Sequence, residues 1–342
     1  MTDSGSEAEN RVWTLARRPT GRPTDDCFSL EHRSKPTPGP GEVLVRTRSL
    51  SVDPYMRGRM RAGESYAEPW GVGEPLEGGV VGAVVSESGT EFEVGDLVVG
   101  TLEWADYSTA PAHAVTRVDV GDLPASTALG VVGMPGRTAY FGMREVARPH
   151  PGDTVVVSAA AGAVGSVAGQ LAAMAGARVV GTAGSDRKTR WLRDIGFDAA
   201  INYDAVDDYD AALESAAPDG IDVYFDNVGG PITDAVFDRL AVDARVAVCG
   251  QIALYNADER PTGPRKLRKL IESRATVEGF LVSDFVARFD VATAALRRWV
   301  QEGSVDYRET VTHGLEHAPD AFVGLFDGEN IGKQLVRVSE EE

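Results

Sequence analysis

The sequence predicts an α/β fold in which a doubly wound parallel sheet is joined to a smaller β-rich domain. Three observations carry this reading. Up to about residue 120 the chain shows short strands, turns and no long helical period. From Asp153 onward, strands alternate with helices, which implies βα crossovers and a parallel sheet covered on both faces. Between the two regimes, Asp153–Gly165 (DTVVVSAAAGAVG) has the form of a strand, a small-residue turn and a helix start.

Residues 1–10 are expected to lack structure, with an opening strand at Val12–Leu15 and a Pro/Arg-rich loop after it. A turn-rich lead-in (Pro36, Pro38, Gly39, Pro40, Gly41) precedes an alternating strand over Glu42–Leu50. Glu74–Val85 is glycine-studded and β-branched, as in a bent barrel strand, and 93–100 adds a turn and another strand. A helical stretch over Gly136–Val146 stops at Pro149 and Pro151. Strands are then expected at 154–158, 178–183, 199–202, 221–227, 243–250 and 275–282, with helices at 164–175, 186–195, 208–216, 231–240 and 264–273. Ala292–Val300 lies in a further helix, and Ile331–Val338 reads as a strand that rejoins the β-rich part. The resulting division is 1–132 with 309–342, and 133–308.

A length of 342 residues fits about two domains. Two cysteines, Cys27 and Cys249, are too few for a disulfide framework or a four-cysteine zinc site. No run of about 18 apolar residues is present, and the start MTDSGSEAEN is polar and acidic, which reads as a cytoplasmic chain without a leader or a membrane span. The net charge of −18 comes from 52 acidic and 34 basic residues, of which only five are lysine. Such a surface repels nucleic acid and anionic membranes. Acid excess with lysine scarcity suits a salt-rich, halophilic cytoplasm, where salt screens the mutual repulsion.

In the turn after the first parallel strand, Gly162 allows a backbone to approach a pyrophosphate. Gly165 allows the helix to pack close to the strand, and the helix N-terminus offers N–H groups to an anion. Ala160 occupies the first glycine position of the dinucleotide fingerprint, so the motif is degenerate. The second strand ends at Gly184–Ser185 with no carboxylate where one would accept from a ribose 2′-hydroxyl. Asp186 comes late and opens the next helix, and Lys188 and Arg190 follow. A hydroxyl, a helix start and cations suit a 2′-phosphate, so the cofactor reads as NADP(H) rather than NAD(H). DNVGG (226–230) and CGQIALYN (249–256) each follow a strand end, where Asn227 can meet the cofactor and the Tyr255 phenol can donate a proton. Cys249 has no histidine nearby in sequence to act as its base and reads as a small buried residue. His313 and His317 are spaced for one helix face, but they lack a metalloprotease order, and Cys27, His32 and His113 make a poor zinc set. No metal site is predicted.

Eight segments in order resemble the zinc-independent medium-chain dehydrogenase/reductase superfamily. They are similar in particular to its NADP-dependent leukotriene B4 12-hydroxydehydrogenase/prostaglandin reductase group of alkenal/one and curcumin reductases. The segments are LSVDPYMRGRM (50–60), GMPGRTAYFG (133–142), AAAGAVGSVAGQLA (159–172), GTAGSDRKTRWLRDIGFDAAINY (181–203), DNVGG, CGQIALYN, VEGFLVSDF (277–285) and GENIGKQLVRV (328–338). The resemblance implies a Rossmann NADP-binding domain and a GroES-like domain completed by the C-terminal strand. It implies that Gly162, Ala163, Val164 and Gly165 hold the pyrophosphate and that Ser185, Lys188 and Tyr203 surround the 2′-phosphate. Asn227, Cys249, Gly250, Gln251, Ile252, Tyr255, Phe280, Leu281, Val282 and Asn330 would line the rest of the cofactor, with Met134 and Thr138 near the nicotinamide. Tyr55 and Tyr255 would lie near a substrate carbonyl. Relatives often carry a further active-site tyrosine before the segment matching VEGFLV, and here 256–306 contains none. The proton donor therefore stays open between Tyr255, Tyr55, a ribose hydroxyl and water.

The activity implied is NADPH-dependent reduction of the C=C bond of an α,β-unsaturated aldehyde or ketone, with a small-molecule substrate as the only partner besides a second copy of the chain. TVEGFLV, as a last strand, could pair across a two-fold axis. The alternatives are an NADPH:quinone reductase of the same superfamily and a non-catalytic NADPH-binding module. Loops 60–75, 104–112 and 253–265 would shape the substrate pocket.

Overall fold

The computed structural model describes residues 9–63, 65–259 and 261–339. Two compact units emerge. One comprises Met1–Leu129, Thr310–Glu329 and Gln334–Glu342; the other comprises Gly130–Glu309 and Asn330–Lys333.

The first unit is β-rich. Its strands are β1 (Glu9–Leu15), β2 (Phe28–Ser34), β3 (Glu42–Ser51), β4 (Glu77–Glu87), β5 (Leu97–Glu103), β6 (Tyr107–Pro111) and β7 (Val115–Arg117), with a single helical turn, α1 (Met56–Arg59), after β3. Residues 9 and 10, expected to be unstructured, instead open β1, while 1–8 lie outside the described residues. The expected loop after β1 is followed by a strand that the sequence reading did not include: β2 forms an antiparallel hairpin with β1 in which Trp13 faces Leu30. The 104–112 segment is not a loop either. It contains β6, antiparallel to β3, with Ser108 and Ala110 turned inward. Small side chains at alternate positions give a strand without the bulky apolar pattern that marks one in sequence. The core gathers Leu15, Met56, Met60, Trp104 and Phe322, with Trp104 edge-on to Phe322 at 6.1 Å.

The second unit begins with α2 (Met134–Phe141), continued by a wider π-type turn over Gly142–Ala147. Gly142 is held against rings: a Cβ there would stand 2.5 Å from Phe280 and 2.6 Å from Phe225. The chain then alternates β8 (Thr154–Val157), α3 (Gly165–Met174), β9 (Arg178–Ala183), α4 (Asp186–Asp194), β10 (Ala199–Asn202), α5 (Tyr209–Ala216), β11 (Ile221–Asp226), α6 (Gly230–Asp238), β12 (Leu240–Val248), α7 (Leu267–Ser273), β13 (Thr276–Gly279) and α8 (Phe289–Gln301). The six strands are parallel in the order β10-β9-β8-β11-β12-β13. Numbered within the sheet this is 3-2-1-4-5-6, the doubly wound order whose direction reverses between β8 and β11. β13 is half the predicted length because Phe280 turns to pack on Phe225, ring centroids 6.2 Å apart.

Beyond α8 come β14 (Glu309–His313), α9 (Ala318–Val323) and β15 (Lys333–Arg337). β15 pairs antiparallel with β3, Leu335 opposite Ser51, so the C-terminal strand does rejoin the β-rich sheet. His313 ends β14 and His317 closes a separate short turn, so the pair does not share a helix face.

Candidate functional site

In the second unit, many of the residues singled out in sequence lie at the C-terminal ends of the parallel strands, where open α/β sheets bind their ligands. At the β8 end the backbone turns sharply. Ala159 adopts a left-handed conformation (φ 46), and its carbonyl accepts from Gly162 N–H at 3.0 Å. A Cβ at Gly165 would come within 2.5 Å of the Ala159 carbonyl oxygen, so only glycine lets α3 start this close to the strand. At Gly162 the same test meets Ala159 O alone, at 3.2 Å, so this position opens onto space. Ala163, Val164 and Gly165 head α3, where the first N–H groups have no partner within the helix. Gly332 reaches the same turn from far along the chain, its N–H donating to Ala161 O at 2.8 Å, and the Asn330 amide donates to Gly332 O at 2.7 Å.

One strand over, Ser185 is the N-cap of α4, its Oγ accepting from Lys188 N–H at 3.4 Å. Asp186 is the first helical residue, as expected. Tyr203 follows β10, donates its N–H to Ala183 O at 3.1 Å, and stands over Gly184, where a Cβ would be 2.7 Å from its hydroxyl. Burial, reinforced by Arg187, lowers the Lys188 ammonium, while Asp204 works against this. Burial raises the Tyr203 phenol.

At the β11 end stands a group that sequence reasoning passed over. Asp226 is fully buried, and six donors converge on its carboxylate. Oδ1 accepts from Ser158 Oγ (3.1 Å), the Tyr224 hydroxyl (2.9 Å) and the N–H groups of Val228 and Gly229 (2.9 Å each). Oδ2 accepts from Thr233 Oγ1 and Gln251 Nε2, both at 2.9 Å. The one signal in sequence is an acid closing the apolar strand IDVYFD, with no cation beside it. Around this node Asn227 takes its place: its N–H donates to Ser158 Oγ at 2.8 Å and its amide to Ser158 O at 2.7 Å. Cys249 and Gly250 N–H both donate to Asp226 O, and Ile252 N–H donates to Asn227 O at 3.3 Å. Gln251 N–H donates to the Tyr255 phenol oxygen at 3.3 Å. Burial raises the Tyr255 phenol. Burial and Asp226 push the Cys249 thiol up to about 12, which leaves it no thiolate to attack with near neutral pH.

The other predicted residues fall nearby in the chain or apart from this edge. Phe280 packs on Phe225, and Leu281 N–H is capped by the Asp284 carboxylate at 3.1 Å ahead of the turn that starts at Val282. In α2, buried Thr138 donates its hydroxyl to Met134 O at 2.8 Å, while Met134 is exposed. Tyr55 belongs to the β-rich unit. It precedes α1 beside Asp53, which accepts from Ser51 Oγ, and burial with Asp53 holds its phenol well above the usual range. Among the described residues no group of three or more His, Cys, Asp or Glu side chains is arranged to hold a metal ion, and no helix is long and apolar enough to cross a membrane.

Comparison with known proteins agrees with this arrangement. Residues 11–118 match the N-terminal domain of oxidoreductases, and residues 163–298 match a family described as zinc-binding dehydrogenase. The NADPH-dependent curcumin reductase of Escherichia coli (strain K12) is 42% identical over 97% of this chain and 98% of its own length. The NADP(+)-dependent 2-alkenal reductase of Nicotiana tabacum is 43% identical over 98% of this chain and 99% of its own. The crystal structure of CurA from Vibrio vulnificus in complex with NADPH superposes with a TM-score of 0.92 at 42% identity, over 97% of this chain and all of that one. A 3-2-1-4-5-6 sheet with a small-residue turn at the head of α3, a β-rich unit, and this extent of identity along the whole chain together establish that the protein belongs to the zinc-independent medium-chain dehydrogenase/reductase superfamily.

Proposed function

We propose that the protein uses NADPH to reduce the C=C bond of α,β-unsaturated aldehydes or ketones. The observation that carries the cofactor half is the strand-end edge of the second unit. It combines an open glycine turn at the head of α3 with a corner at α4 that has a hydroxyl N-cap and Lys188, and no carboxylate at the β9 end. These residues fit a dinucleotide with a 2′-phosphate: backbone N–H groups for the pyrophosphate, and Ser185, Lys188 and Tyr203 for the monoester. Similarity to reductases named for alkenals and curcumin supports the substrate class.

When bound, the dihydronicotinamide supplies a hydride for the β-carbon. The chain's own task is to hold the carbonyl and stabilise the negative charge that develops on its oxygen before the α-carbon is protonated. Tyr255 and Tyr55 are the phenols proposed for this. Burial keeps both protonated, so each can act as a hydrogen-bond donor through neutral and mildly alkaline pH. Thr138, whose proton is committed to Met134 O, is suited to accept from an amide such as that of the nicotinamide.

The test is purified protein with NADPH and a panel of enones, following nucleotide absorbance and the mass of the saturated product. Turnover of quinones alone would replace this reading with a quinone reductase. Tight NADPH binding with no turnover of either class would make the protein a binding module.

The acidic, lysine-poor composition supports action in a salt-rich cytoplasm, which predicts a melting temperature that climbs with molar KCl; a flat profile argues against it. β13, last in its sheet, supports a homodimer through edge pairing, and light scattering that gives one chain's mass would remove that idea.

A further inference from the structure

The corner proposed for the 2′-phosphate contains a charge of the wrong sign. Asp186, exposed at the first position of α4, follows directly on Ser185 and lies two residues before Lys188. A carboxylate in this neighbourhood suits a ribose hydroxyl, to which it can accept a hydrogen bond, and opposes a phosphate dianion by Coulomb repulsion. The structure ties this carboxylate down. Asn202 Nδ2 donates to Asp186 Oδ1 at 2.7 Å. The amide is itself oriented, since Asn202 Oδ1 accepts from Asp204 N–H at 3.2 Å, which leaves the NH2 end for Asp186. Asn202 is the last residue of β10, in register with Ala183 at the end of β9, so the restraint comes from the neighbouring strand. On the other side of the same corner, Tyr203 is seated over Gly184.

We infer that Asn202 is a cofactor-selecting residue. By holding the Asp186 side chain toward the β10 end, it keeps that carboxylate from the 2′ position, so the corner takes a phosphate monoester in preference to a free 2′-hydroxyl. Freed from Asn202, Asp186 becomes a group that repels NADPH and can accept from the ribose of NADH. The inference rests on Ser185, Lys188 and Tyr203 being the 2′-phosphate residues.

The experiment measures dissociation constants of NADPH and NADH by calorimetry, at matched ionic strength, for the full-length protein and three variants: Asn202→Ala, Asp186→Asn and the double substitution. Asn202→Ala is expected to weaken NADPH about tenfold while NADH is unchanged or tightened. Adding Asp186→Asn should return NADPH to within about threefold of the unmodified protein, because the repelling charge is gone. Equal losses for the two nucleotides in Asn202→Ala, an unchanged ratio, or a double variant as weak as the single would overturn the inference. In each of those cases the NADPH preference of the unmodified protein would still stand. Should that protein bind both nucleotides alike, the 2′-phosphate assignment itself falls, and the inference with it.

Discussion

At the end of β11 a carboxylate lies fully buried beneath six donors drawn from the residue after β8, from β11, from the turn between β11 and α6, from α6 and from the loop after β12. At the end of β9, by contrast, Ser185, Asp186 and Lys188 are half-buried or exposed and are held by a few bonds at 2.7–3.4 Å. The difference is one of cost. A buried carboxylate must recover its lost hydration entirely from protein donors, so its surroundings form one stiff, interlocked unit. An exposed corner retains its water, spends little on folding and acts by charge and orientation. The first region is therefore suited to setting geometry, and the second to choosing between ligands that differ by a phosphate.

The largest expected effect tests the stiff half. Asp226→Ala strands several donors in the interior at about 1–3 kcal/mol each, so we expect a loss of at least about 4 kcal/mol in denaturant unfolding. A variant within about 1 kcal/mol of the unmodified protein would erase the contrast. Next comes the phenol that the node positions through Gln251. Tyr255→Phe should lower kcat about 100-fold with enones and leave the NADPH dissociation constant within about threefold. A loss confined to nucleotide affinity would remove Tyr255 as a donor and turn attention to Tyr55. Lys188→Ala, on the loose side, should weaken NADPH about 10–100-fold and NADH little, with an unchanged melting temperature. Destabilisation comparable to that of Asp226→Ala would show both corners to be structural.

The smallest effect is a pH dependence. Folding raises the Cys249 thiol from 9.0 to about 12 and the Tyr255 and Tyr55 phenols above 10.0. A group whose folded value is raised contributes stability that is complete below its unfolded value and is lost as pH climbs through the folded one. Stability should thus begin to fall above about pH 9 and continue downward past 10. Denaturant unfolding of Cys249→Ala should give a shallower decline between 9 and 12. An identical slope would place the alkaline loss elsewhere.

Much of this was legible in the chain. In the parallel sheet the apolar run and its glycine or polar stop mark β9 (178–183) and β10 (199–202) closely, with predicted and observed limits that coincide, whereas β12, expected at 243–250, spans Leu240–Val248. β2 and β6 were not legible, because strands with polar or small residues carry little periodic signal and exist through their pairing with β1 and β3. The turn between β8 and α3 was readable because a close approach of helix to strand demands glycine locally, as the space around Gly165 shows. The Asp226 node was not, since its donors at Ser158, Thr233 and Gln251 are far apart in sequence.

By itself, then, the sequence determined the βα alternation, the glycine turn, the hydroxyl-and-lysine corner without a carboxylate at the strand end, and the acidic surface. Each of these depends on residues within a few positions of one another. The tertiary structure decided that β8 and β11 are neighbours and thereby brought Ser158 to Asp226 and Asn227. It also laid β10 beside β9, so that Asn202 meets Asp186 sixteen residues away. The physical reason is strand order: local propensity sets where strands begin and end, but which strand ends share a hydrogen bond follows only from how the whole sheet packs.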